Sequence, residues 1–192
     1  MLFESVRSKI RGMKVYLIRH GVTQQALDGI SQTADAPLAE DAIKENPYKN
    51  LAFDKVFSST LLRAKQTADK LFGDYEIVDY IYEFRAPKEL VGISEDKVNK
   101  FWREHWDEVR KDPDWKFNGC ESFNEIVDRA DKFYKFLKTL DYGRIAVVGH
   151  ALFFKHLLSI HALKRKNYTI DKYYNLTAYI RPMPLSFLKM EL

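Results

Sequence analysis

The chain has one cysteine, Cys120, in 192 residues. No intrachain disulfide can form, and zinc or iron–sulfur sites built on several cysteines are excluded. Such a chain suits a reducing, cytoplasmic setting. No Gly/Ser-rich linker divides it, and no internal repeat is visible. It also lacks a membrane span: the best apolar stretch, Ile145 to Ile160, is interrupted by His150, Lys155 and His156. Met1 to Gly12 has no apolar core and does not read as a signal peptide. That stretch carries Glu4, Arg7, Lys9 and Arg11 and reads as an extension ahead of a domain spanning 13–192. Charge of one sign is scarce too. The 31 basic residues are nearly balanced by 27 acidic ones, leaving +4. No basic block is present, so a nucleic-acid partner is not expected. The small excess fits an anionic small substrate as well as ordinary solvated surface.

What remains is globular. Apolar residues make up 46% and charged residues 30%, which excludes a disordered or low-complexity chain. A chain of this length buries most of its unfolded surface and needs no metal or disulfide to fold. Lys14 to Ile18 reads as a buried strand, Asp54 to Phe57 and Tyr75 to Val78 as short ones, and Ile145 to Val148 as a strong one. Helical spacing runs through Thr60 to Phe72, Ser94 to Lys111 (with Ser94 as N-cap), Glu121 to Leu140 and Ala151 to Leu163. Gly21 to Pro37 reads as loop, and Leu38 to Ala52 as partly helical, broken by Pro47. Leu176 to Ile180 and Ser186 to Met190 read as final strands. Strands alternating with helices predict a three-layer α/β/α sandwich on a mainly parallel sheet. The aromatic stretch 85–118 is expected to form a cap beside the site.

Three short segments carry chemistry. Arg19-His20-Gly21 follows the first strand. Ligands of parallel sheets bind beyond the carboxyl ends of strands. An arginine there offers a fork for phosphate, and a histidine offers a nucleophile or base. Ser58 to Ala68 puts Arg63 on the first turn of the helix after the second strand. Val148-Gly149-His150 puts a second histidine at the end of the last central strand. Two arginines and two histidines at equivalent strand ends can converge on one small anion.

These segments resemble the signatures of the histidine phosphatase superfamily, the phosphoglycerate mutase-like proteins. Arg19-His20-Gly21 with Thr23 is similar to its first motif, Asp35-Ala36-Pro37-Leu38 to the loop after it, and Ser58 to Ala68 to the second motif. Gly119-Cys120-Glu121-Ser122 resembles a Gly-Glu-Ser helix start with Cys120 inserted, and Val148-Gly149-His150 resembles the last motif. The resemblance implies a phosphoglycerate mutase-like fold and hydrolysis of a phosphomonoester through phospho-His20. Arg19, Arg63 and His150 would hold the phosphoryl oxygens, and Thr23 would hydrogen-bond near them. A carboxylic acid would protonate the leaving oxygen and then activate water. Glu83 is the candidate, and Glu89 the fallback; the acid must hold its proton despite the arginines. The resemblance implies neither a metal nor an organic cofactor, and a small phosphorylated metabolite, or a phosphoprotein, as the partner.

The sequence departs from the family where many relatives have an asparagine (here Ala26) and a glycine after the last histidine (here Ala151). A Gly-x-Trp-Glu-Gly continuation of the acid motif is also missing. Phosphatase therefore ranks above mutase. A silent phosphate-binding protein is the rival from another class. His105, His156, His161 and the three tryptophans are expected to be structural.

Overall fold

The computed structural model describes residues 12–192, so the expected extension lies, apart from Gly12, outside the described residues. Five strands form one sheet: β1 (Lys14–Arg19), β2 (Lys55–Ser59), β3 (Glu76–Val78), β4 (Arg144–Gly149) and β5 (Phe187–Glu191). Their order is β3-β2-β4-β1-β5. β3, β2, β4 and β1 run parallel, and β5 closes the edge antiparallel to β1. Successive side chains of a strand face opposite sides. Val15, Leu17, Ile145 and Val147 therefore enter the larger core, with Ile126, Phe133 and Leu137 of α5 (Phe123–Leu137) and Phe153, Leu157 and Ile160 of α6 (Ala151–Leu163). On the other face, Tyr16, Ile18 and Ala146 pack with Leu71 of α2 (Leu62–Leu71), and Val148 packs with its Ala64 and Ala68. The alternation makes the three layers.

The helix starts follow local chemistry. Ser122 and Glu125 form a reciprocal capping box at α5, satisfying two end N–H groups. The remaining helices are α1 (Gln24–Leu27), α3 (Glu95–Glu104), α4 (Trp106–Lys111) and α7 (Ile170–Thr177).

Several expectations need correction. Leu38 to Ala52 forms turns rather than a partial helix. The helix expected over Ser94 to Lys111 is two helices, because His105 leaves helical geometry at φ −106°, ψ 8°. Its Nδ1 bonds the Phe101 carbonyl at 2.9 Å and its ring stacks on Phe101. Ser94 stands at the N-cap position but makes no side-chain cap bond. Leu176 to Ile180 is not a strand; it includes the end of α7. Ile170, Tyr173 and Thr177 are buried at helical spacing, and Thr169 caps the start. Its aromatic and β-branched content mimics a strand. The helix α1 lies in what reads as plain loop.

Candidate active site

The site forms where β1, β4 and β2 end. Arg19 pairs with Gly149 in the parallel register, and the His20 N–H donates to the Gly149 carbonyl at 3.0 Å. The two histidines that follow these neighbouring strands therefore meet, ring centroids 5.2 Å apart. Gly149 is required here by close approach: a Cβ would lie 2.8 Å from the Phe154 ring.

The surroundings of His20 fix its tautomer. Its Nδ1 lies 2.7 Å from the Gly21 carbonyl, which can only accept, so Nδ1 carries the proton. The Nε2 lone pair takes the Arg63 Nε–H at 3.2 Å. Burial, then the positive charge of Arg63, hold the His20 pKa down to about 3, against the pull of the Gly21 carbonyl. The ring is thus neutral near pH 7, with its lone pair on Nε2. Thr67, one turn after Arg63 on α2, accepts the Gly21 N–H at 3.0 Å and donates to the Arg63 carbonyl at 2.7 Å. Arg63 also donates from Nη1 to the Thr33 carbonyl at 2.9 Å.

His150 is fully buried, and its Nε2 lies 2.8 Å from Ser59 Oγ at the end of β2. Ser59 Oγ also accepts the Leu61 N–H at 3.4 Å; with the Ser59 proton given to His150 Nε2, the ring proton stands on Nδ1. Burial, then the nearby cationic site, push the His150 pKa well down, so this ring is also neutral. Arg19 donates from Nη1 to the Pro182 carbonyl at 2.7 Å. Arg19 Nε and His150 Nδ1 are buried without a hydrogen-bond partner among the described residues. Buried polar groups are rarely left so. Donors of this kind, clustered beside Arg63, fit an oxyanion such as phosphate.

Glu83 sits at the start of α6, directly after His150. Its carboxylate accepts the Phe84 N–H at 2.9 Å and the Leu152 and Phe153 N–H groups at 3.3 Å each. His150 makes no side-chain cap, so Glu83 caps this helix from another segment. Burial lowers the pKa of both Arg19 and Arg63, and the Glu83 charge opposes that on both. Glu83 thus stands beside the cluster, at the helix start that follows His150. Glu89 lies exposed on a short 3₁₀ turn. Thr23 is buried as the N-cap of α1, its Oγ1 accepting the Ala26 N–H at 3.1 Å. Its structural role is thus capping.

Residues 15–178 match the histidine phosphatase superfamily (branch 1). The chain belongs to this family. It is 27% identical over 183 residues to the adenosylcobalamin/alpha-ribazole phosphatase of Escherichia coli (strain K12), covering 83% of this chain and 86% of that one. It is 27% identical over 135 residues to the fructose-2,6-bisphosphatase TIGAR of Xenopus tropicalis, covering 63% of this chain and 48% of that one. A mycobacterial glucosyl-3-phosphoglycerate phosphatase, solved with VO3, shares the fold at a TM-score of 0.72 and 19% identity, over 92% and 90% of the two chains. This histidine phosphatase chain thus has phosphatases for relatives. No helix among the described residues is long and apolar enough to cross a membrane.

Sequence reasoning missed the residues that support the site. Ser59 and Thr67 lie within the second motif, Thr67 one turn from Arg63, but no periodicity marks a hydroxyl as a positioning group. A buried ion pair went unseen as well. Arg129 Nε and Nη2 donate to the two oxygens of Glu121 at 2.5 and 2.7 Å. Arg129 Nη1 also donates to the Tyr80 and Tyr82 carbonyls at 2.7 and 3.1 Å. This pair clamps the segment that carries Glu83. Its members are eight residues apart, Glu121 just before the Ser122 N-cap and Arg129 within α5.

Proposed function

We propose that this protein hydrolyses phosphomonoesters through a phosphohistidine on His20. The observation that carries the reading is the His20 ring, neutral and with its lone pair on Nε2, inside a cluster of Arg19, Arg63 and His150. Nε2 attacks phosphorus, and the bond to the ester oxygen breaks. Positive charge develops on the ring, and the Gly21 carbonyl, held against Nδ1–H, stabilises it. Arg63 releases Nε2 and turns its N–H to a phosphoryl oxygen. Arg19 Nε and His150 Nδ1 take the others, where charge builds in the transition state. Glu83, in its acid form, gives its proton to the leaving oxygen. In the second step water attacks phosphorus, its proton goes to the Glu83 carboxylate, and the bond to Nε2 breaks. His20 and Glu83 return to their starting states, and inorganic phosphate leaves. Thr23 has a hydroxyl proton left to donate, and we assign it a phosphate contact beside its capping role. Two guanidinium charges and imidazole N–H donors meet the charge of the phosphoryl group, so the reaction calls for no cofactor.

The test is hydrolysis of para-nitrophenyl phosphate in EDTA by the wild type and by folded His20→Ala. Wild-type turnover that His20→Ala abolishes supports the reading. Undiminished turnover in His20→Ala refutes it. Isomerisation of phosphoglycerate without phosphate release would favour a mutase instead.

A further inference from the structure

A cavity of about 530 Å³ lies between the α3–α4 pair and the body of the domain. Its walls include Phe84, Trp102, Trp106, Trp115, Leu152 and Tyr173. The cavity is a cleft open to the surface. The volume falls in the usual range for small-molecule pockets, and so does an apolar, aromatic lining with few polar groups.

Its position relates it to the catalytic cluster. The Phe84 and Leu152 N–H groups hold the Glu83 carboxylate, and both residues also line the cavity. The catalytic cluster itself does not line the cavity, which adjoins it through these two residues, so a substituent on a leaving oxygen beside Glu83 has the cavity as its neighbour. The lining holds two buried polar side chains, Glu121, which is paired with Arg129, and His156. The His156 ring is buried and stacks on Tyr173 at 4.1 Å and 9°, and its Nδ1 meets the Tyr168 hydroxyl at 2.6 Å. Nε2 has no hydrogen-bond partner among the described residues. On α3, Asn99, Trp102 and Arg103 line the same cavity, and Trp106 opens α4 one turn later.

We propose that this cavity is the leaving-group subsite, and that it takes a flat aromatic body attached to the phosphate through a short alkyl link. The inference rests on the phosphatase reading and names its substrate class. The aromatic walls stack on the ring faces of the ligand, and His156 meets a polar atom at the ring edge. Small polar leaving groups leave the walls uncovered and gain nothing from them.

The test compares nitrophenethyl phosphate with n-propyl phosphate. Both release a primary alcohol, so the phosphoryl chemistry is matched. The expected kcat/KM ratio favours the aromatic ester by roughly 30-fold or more. Trp106→Ala, which removes a wall, and Asn99→Trp, which narrows the space from an exposed position, should each cut that ratio to a few-fold. The pocket is also read without turnover. All three tryptophans of the chain line it. Free nitrophenethyl alcohol should therefore quench the intrinsic fluorescence of His20→Ala saturably, and of Asn99→Trp/His20→Ala more weakly. A ratio near one with unsaturable quenching overturns the subsite while hydrolysis stands. Saturable quenching with neither ester hydrolysed overturns the phosphatase reading and leaves an aromatic binding site.

Discussion

Replacing Arg129 by methionine tests how the fold holds Glu83. The Arg129 and Glu121 side chains are 12% and 1% exposed, so this is a buried pair. Arg129→Met leaves the Glu121 carboxylate with only the Arg85 N–H, 3.4 Å away. Removing one partner of a buried pair typically costs about 3–5 kcal/mol, because the other charge stays desolvated. The Tyr80 and Tyr82 carbonyls also lose their donor. Total stabilities of such domains are about 5–15 kcal/mol, so the variant should fold but unfold much earlier in urea. The double variant Glu121→Leu/Arg129→Met removes both charges. It keeps only the unmet carbonyls, each worth about 1–3 kcal/mol, and should recover part of the lost stability. It should not recover kcat, because the Tyr80–Tyr82 carbonyls no longer anchor the segment carrying Glu83. Urea midpoints and kcat for the three proteins settle it. Arg129→Met losing less than about 1 kcal/mol would refute the argument. A double variant less stable than the single would do the same.

Other outcomes follow from the same geometry. Gly149→Ala puts a Cβ 2.8 Å from the Phe154 ring. It should cost about 1–3 kcal/mol in thermal or urea unfolding and lower kcat by moving His150. Ser122→Ala removes half of the α5 capping box, and a urea titration should show a loss of about 1 kcal/mol without loss of kcat. Burial first, and nearby cations second, hold His20 and His156 at about 3 against an ordinary 6.5, and keep His150 well below it. Between these limits the unfolded chain binds more protons than the native one. Stability is therefore full above pH 6.5 and falls as pH drops toward 3, by up to about 1.4 kcal/mol per pH unit for each ring. Urea midpoints between pH 7 and 5 should show this acid loss, and His156→Phe should flatten it. A midpoint independent of pH in that window would contradict the buried, neutral histidines.

The strands and most helices were legible because their signals are local. Val15 to Ile18 and Ile145 to Val148 are apolar runs of strand length, and α5 has a heptad-like apolar face behind Ser122. Misreadings arose where a single side chain or a tertiary contact decides. His105 breaks a helix by binding the Phe101 carbonyl, and Leu176 to Ile180 reads as a strand because leucine, threonine, tyrosine and isoleucine also suit one. The core of the site was legible because Arg19, His20, Arg63 and His150 each stand at or just beyond a strand end. Glu83 stood ahead of Glu89 as the candidate acid, but its support was not legible: the first turn of α6, whose N–H groups reach Glu83 across a gap of some seventy residues in sequence. The aromatic cavity was hidden for a similar reason: Trp102, Trp106 and Trp115 come together with Tyr173 and His156 only through packing.

The central claim is a phosphoryl group on His20 Nε2. Its most direct test is mass spectrometry of the protein quenched in alkali during turnover, where phosphohistidine survives, and in acid, where it does not. Glu83→Gln, which slows attack by water, should help the adduct accumulate from a substrate with a good leaving group. The account predicts one phosphoryl group on the peptide containing His20, present after the alkaline quench, lost after acid, and absent in His20→Ala. An acid-stable adduct, or one on any other residue, would contradict it.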